Sequence, residues 1–289
     1  MFTRRGYLLE ITNRVPKKRT LFELADVLAR YRYTEFRPYS TNGFAALDLG
    51  KLDAYCRMQG LELIPTDRAA FDALLVGGGY VCASTEAPRS LAGRVEEMRE
   101  RMAKTEANGR LHNIPGFLVT DFSDGFEWHP PVVSLPGVIL GGLFATGGAK
   151  AARMDLEREL NGVLSAPVGG LLLKLGTLYL RGGAVRDDAS EYFNILAHDR
   201  GYSRHPGLTD YVLDEVGGIA EGIRIAAERW ADRSDRAAEI AYAARLIDCA
   251  CHRRDERRLR ELRDEHGRLW RLAMEEDGRV ESLARLPRF

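Results

Sequence analysis

The densest run of groups able to do chemistry lies at 121–129, where Asp121, Ser123, Asp124, Glu127, Trp128 and His129 crowd together. Carboxylates accept hydrogen bonds from hydroxyls, and an indole covers an apolar C–H face, so this mixture suits a sugar-like ligand. Two opposed carboxyls could also cleave a glycosidic bond, one as acid and one as nucleophile or base. Asp121 and Asp124 leave one loop, however, which suits holding a single ligand group better than flanking a bond from two sides. The structural alternative is an Asp/Ser/Gly turn beside a packed Trp, since turns favour those residues anyway.

Stepping outward, the apolar run 116–120 that precedes this cluster suits a buried strand. Further strand-like runs occur at 6–11, 34–39, 61–65 and 80–83. Helical spacing separates them. Thr20 and Glu23 form a capping-box pattern ahead of Leu24, Val27 and Leu28. Asp48 opens a helix to Gln59, Phe71 to Leu75 makes about one helical turn, and Ser90 starts a helix through Met102. The alternation predicts an α/β fold with a parallel sheet and right-handed crossovers. Parallel strands bring their C-terminal ends to one rim. That rim would gather Glu10, Asn13 and Arg14, then Tyr39, Asp67 and Arg68, then Ser84, Thr85 and Glu86, and finally Asp121, Asp124, Glu127 and Trp128. If the chain is an enzyme, Glu10, Glu86 and Glu127 are the candidate acids, and one of them needs a pKa raised by burial.

Beyond 148 the pattern is almost wholly helical, with expected helices at 155–164, 168–180, 190–198, 209–230 and one unusually long helix at 234–274. The expected division is therefore an α/β part at 1–148 and a helical C-terminal region at 149–289.

Other chemistries lack their spacing. The glycine triplet at 77–79 has neither the Lys-Ser/Thr of a P-loop nor a GxGxxG pattern, and reads as a turn. The six histidines show no HExxH, and Cys249, Cys251 and His252 supply too few ligands on one helix face for zinc, so no metal or other cofactor is expected. No GxSxG elbow is present. With 42 basic and 42 acidic residues the chain has no basic excess for nucleic acid. The four cysteines form no paired framework, no signal-peptide core opens the chain, and the apolar stretch at 132–144 is interrupted by Pro136, Gly137, Gly141 and Gly142. A cytoplasmic protein that spans no membrane is the expectation.

Several ordered motifs resemble glycoside hydrolase family 20, the β-N-acetylhexosaminidases and their relatives. Arg5-Gly6-Tyr7-Leu8-Leu9-Glu10-Ile11 with Arg14-Val15-Pro16 is similar to the family's first barrel strand. Leu52 to Cys56 with Gly60 to Pro65 resembles its second helix and third strand. Ser90 to Arg94, Leu118 to Asp124, and Pro130 with Val133 to Gly137 resemble its late strands, where members often read Thr-Asp-Trp-Gly-Asp. Leu269-Trp270 and Glu281 to Leu286 are similar to the close of its C-terminal region.

The resemblance implies an incomplete (β/α) TIM-type barrel of about five parallel strands followed by the helical region. It also implies a lost activity. The family's adjacent Asp-Glu pair sits on central strands, and only 71–79 separates the third strand from a late one, so no residue inherits the pair. Phe122 and Ser123 stand where members often carry Trp and Gly. What the resemblance leaves of a sugar site is Arg5, Asp121 and Asp124, with Tyr39 on the rim and Trp128 as a stacking face. The expected function is a degenerate, non-hydrolytic binder of a sugar or amino-sugar, or a subunit of a complex. The alternatives are an active hydrolase with a rebuilt carboxylate site and a pure interaction scaffold. An open barrel would expose strand edges, so a second copy or a protein partner is expected to complete it.

Overall fold

The structure, a computed structural model, describes residues 1–87, 89–123, 128–183, 189–198, 202–253, 255–276 and 278–287. All five expected strands form, as β1 (Arg4–Glu10), β2 (Glu35–Tyr39), β3 (Glu62–Leu63), β4 (Tyr80–Ser84) and β5 (Gly116–Asp121). They make one all-parallel sheet in the order β3-β2-β1-β5-β4. The apolar centres of β1 and β5 set its middle: Tyr7 lies between Phe36 and Val119, and Leu8 between Arg37 and Thr120.

The winding explains the layers. The step from β1 to β2 to β3 and the step from β4 to β5 run the same way across the sheet, so right-handed crossovers put their helices on one face. Those helices are α1 (Lys18–Arg30), α2 (Leu49–Met58) and α4 (Val95–Leu111), joined there by α5 (Leu135–Gly147). Their Leu28, Leu52, Met98 and Ile139 share one core with Tyr7, Phe36, Phe117 and Val119. The step from β3 to β4 runs the opposite way, edge to edge, and its helix α3 (Arg68–Val76) lies on the opposite face. There Phe71 and Leu74 pack on Leu8, Tyr39, Leu118 and Phe122. Four inter-strand steps are about 19 Å, and a nine-residue helix supplies about 13 Å of that. Deeper on this face Glu35 accepts from Arg4 Nε (2.8 Å), Arg37 Nε (2.9 Å) and the Tyr80 hydroxyl (2.7 Å).

The helical region follows as α6 (Leu156–Leu164), α7 (Gly169–Leu175), α8 (Glu191–Ala197), α9 (Asp210–Ala231), α10 (Asp235–Cys251), α11 (Glu256–Ala273) and α12 (Arg279–Arg285). α10 is buried along most of its length, and Ile240 and Ile247 belong to the same core as Phe117.

Four local expectations are corrected. The long helix expected at 234–274 is two helices, α10 and α11, and the turn between them is restarted by Asp255, which caps Arg257 and Arg258. Thr20 is not an N-cap: α1 starts at Lys18, and the Thr20 hydroxyl donates to the Ala273 carbonyl (3.0 Å). The fourth helix begins at Val95, because Ser90 is spent on a tight turn in which it accepts from Gly93 N–H (2.7 Å). Finally, the interrupted apolar stretch lies in a helical segment longer than expected. Pro131–Arg153 is long and apolar enough to cross a membrane by composition, but 78% of its most apolar window is buried inside the fold, so it is a core helix.

Candidate functional site

The C-terminal ends of β1 and β5 lie side by side, with Leu9 opposite Asp121. Polar residues follow both. Asp121 accepts from the Tyr7 hydroxyl at 2.6 Å and from the Thr85 hydroxyl at 2.8 Å. Burial, then the Asp121 charge, raises the Tyr7 pKa well above the ordinary tyrosine value, so Tyr7 stays a donor. Glu10 accepts from the Ser123 amide at 2.8 Å and from its hydroxyl at 3.0 Å, which ties the two strand ends together.

These groups form one end of a cavity of about 650 Å³, within the ordinary size of small-molecule sites. Glu10, Arg14, Asp121, Ser123, His129 and Ser134 line it, with apolar Leu24, Val27 and Val138 between them. Arg14 comes from the β1–α1 loop. That loop is fastened to the end of α11 by Glu275 N–H to Val15 O (2.8 Å) and Lys17 N–H to Ala273 O (2.8 Å). The far wall is an ion-paired clasp: Arg236 of α10 donates to Glu239 (2.9 Å) and to Glu23 of α1 (2.9 Å). Glu239 also accepts from Val132 N–H (2.9 Å), at the 3₁₀ turn Pro131–Ser134 that leads into α5. His129 is 6% exposed. Burial, then the nearby Arg14 charge, pushes its pKa down to about 3, so the imidazole is neutral.

The site can hold a polar small molecule. Proton donation to a leaving group is another matter. The carboxyls at the strand ends and in the clasp are engaged: Asp121 by two hydroxyls, Glu10 by Ser123, and Glu239 by Arg236 and Val132. Among the candidate acids, burial raises Glu86, which is not on the cavity wall. It is 4% exposed and ion-paired to Arg94 and Arg101, whose charges pull against the burial. Among the described residues, no group of three His, Cys, Asp or Glu side chains could hold a metal ion.

The residues expected to form a sugar rim do not meet. Arg5 points to the opposite end of β1, where it donates to the carbonyls of Phe2 (2.7 Å) and Arg32 (2.5 Å). Tyr39 is buried edge-on against Phe71 and Phe122, so the face where the rim was expected is filled by aromatic rings. Trp128 is buried against Phe193 and presents no stacking face. Asp121 and the candidate acid Glu10 do line the cavity; Asp124 and Glu127 lie outside the described residues. The sequence reading missed His129 and Ser134 as site residues, and Arg236 and Glu239 as the clasp. The pair Pro130-Pro131 after His129 was the one available signal for a constrained turn there. Arg236 and Glu239 carry none, because they reach the site only through tertiary packing. Compared with known proteins, the chain matches no family model and no curated sequence.

Proposed function

We propose that the chain is a non-hydrolytic, hexosaminidase-like protein that binds a sugar-like small molecule in the cavity at the C-terminal end of its sheet. The carrying observation is the convergence of Glu10, Arg14, Asp121, Ser123 and His129 on one cavity at the strand ends, where parallel sheets bind ligands. The winding supports the barrel ancestry: three of the four steps run one way, the first strand lies beside the last, and the reversed step from β3 to β4 falls where middle staves of a (β/α) barrel would be gone. The engaged carboxyls support the loss of hydrolysis. In the test, purified protein is offered sugars and amino sugars in a thermal-shift series, together with an aryl N-acetylglucosaminide. A ligand at 100 times its Kd adds about 2.7 kcal/mol to the folded state and raises the melting point, and no chromophore is released. Release by pure protein that is lost in Asp121→Ala would refute the reading and favour the hydrolase with a rebuilt site.

A second reading, a subunit completed by another copy or a protein partner, is favoured by α3. This helix connects the two sheet edges, has no buried residue, and leaves Leu75 50% and Val76 88% exposed. Sedimentation at micromolar concentration tests it: a monomer indifferent to salt removes it.

A further inference from the structure

We propose that His129 is the residue that recognises the cavity's ligand, and that the part of the ligand docked against it and Ser134 is an uncharged hydroxyl or carboxamide. The inference rests on the cavity reading above and adds the chemistry of the docked group.

Most polar groups named on the wall are already used. Tyr7, Asp121, Ser123, Glu239 and Arg236 each hold a partner within the chain. Arg14 is partnered as well. His129 differs. It is 94% buried by its 6% exposure, it lines the cavity, and among the described residues its ring nitrogens make no hydrogen bond. Ser134, 5% exposed on the same cavity, stands at the N-cap of α5, yet its side chain makes no capping bond. The polar atoms of both side chains are not sealed from solvent, so the partners they lack within the chain must come from the cavity. Two unpaired polar side chains on one cavity wall are placed to bond a molecule that enters it.

The same groups define what fits. A neutral imidazole offers one N–H and one lone pair, and a serine hydroxyl offers one donor and two acceptor sites. Their complement is a group that both donates and accepts. A hydroxyl does so, and so does a carboxamide. An ammonium finds only one acceptor on the imidazole and meets the Arg14 charge nearby. A carboxylate finds only one donor on the imidazole and cannot donate in return, so it leaves the ring's lone pair unpaired. In both cases the charged group matches only half of what the two side chains offer.

The test compares the wild type with His129→Phe and His129→Gln, using glucose, N-acetylglucosamine, glucosamine and glucuronate as probes, by calorimetry and by urea unfolding without ligand. Expected is binding of the two neutral sugars, with affinity reduced about tenfold or more in His129→Phe and about threefold or less in His129→Gln, which keeps a donor and an acceptor. The charged sugars bind about tenfold more weakly than the neutral ones. Ligand-free His129→Phe unfolds at about the same urea concentration as wild type, because no hydrogen bond within the chain is lost. Unchanged affinity in His129→Phe, tighter binding of a charged sugar, or a ligand-free loss of stability in His129→Phe would each overturn the inference while leaving the cavity reading in place. No binding of any probe to the wild type would defeat the cavity reading and this one with it.

Discussion

Asp121 terminates β5 with one oxygen taken by the Tyr7 hydroxyl and the other by the Thr85 hydroxyl. In Asp121→Asn one of those oxygens becomes an NH2 group facing a hydroxyl that had been donating to it. A buried bond to a charged acceptor is lost and a donor is left poorly matched, so the variant should lose about 1.5–3 kcal/mol of stability in urea titration. No loss would mean that Asp121 does not hold the strand ends together. Asp121 itself was legible as a site residue, since an acid directly after an apolar run is the mark of a parallel strand's C-terminal end. Its hydroxyl partners were not: Tyr7 is 114 positions away in the chain, and nothing local connects them.

The elements differ in how firmly they are held. α5 is packed closely through its glycines: a Cβ at Gly142 would fall 2.5 Å from the Tyr31 carbonyl oxygen, whereas one at Gly147 meets nothing within 4 Å. Gly142→Ala should therefore cost about 1–3 kcal/mol by overpacking, while Gly147→Ala should be neutral or mildly stabilising; equal effects at both sites in urea titration would contradict the packing. α3 is the counterpart. None of its residues is buried, and it is joined to β4 through Gly77 to Gly79, with Gly78 in the left-handed region at φ +62°. Amide exchange in α3 should occur by local opening, well below the global unfolding free energy, while the amides of α5 at Val138 to Ala145 exchange only with it. Protection of α3 equal to that of α5 would show that the helix is a fixed part of the core.

For the whole molecule, two buried histidines set the response to acid. His266 accepts or donates between the Tyr242 hydroxyl (2.7 Å) and Ser282 (2.9 Å), joining α10, α11 and α12. Burial, then the Arg14, Arg263 and Arg279 charges, takes its pKa down to about 3, as burial and Arg14 do for His129. The unfolded chain protonates its histidines near 6.5, so between 6.5 and about 3 the unfolded state binds more protons than the folded one. Stability is therefore full above 6.5 and falls as the pH drops. By pH 5.5 the loss is about 1.4 kcal/mol for each histidine, close to 3 for the pair. Urea titrations at pH 7.5 and 5.5 measure it, and His129→Gln/His266→Gln should flatten most of the difference; an unchanged slope in that variant would locate the acid response elsewhere.

Strand positions, most helices and the parallel sheet are determined by the sequence alone, because apolar periodicity and turn residues act within a few positions of each other. Asp48 announces its helix in the same way, and the structure has it accepting from Lys51 N–H at 3.1 Å. Which strand ends become neighbours, which face α3 covers, and whether Tyr39, Trp128 and Glu86 meet solvent or core were decided only by tertiary structure. Each depends on groups brought from distant parts of the chain. Arg5 shows the limit most plainly: its type suits a ligand hydroxyl, but its place early in β1 puts its guanidinium at the end of the sheet away from the cavity, on backbone carbonyls that no local pattern could assign to it.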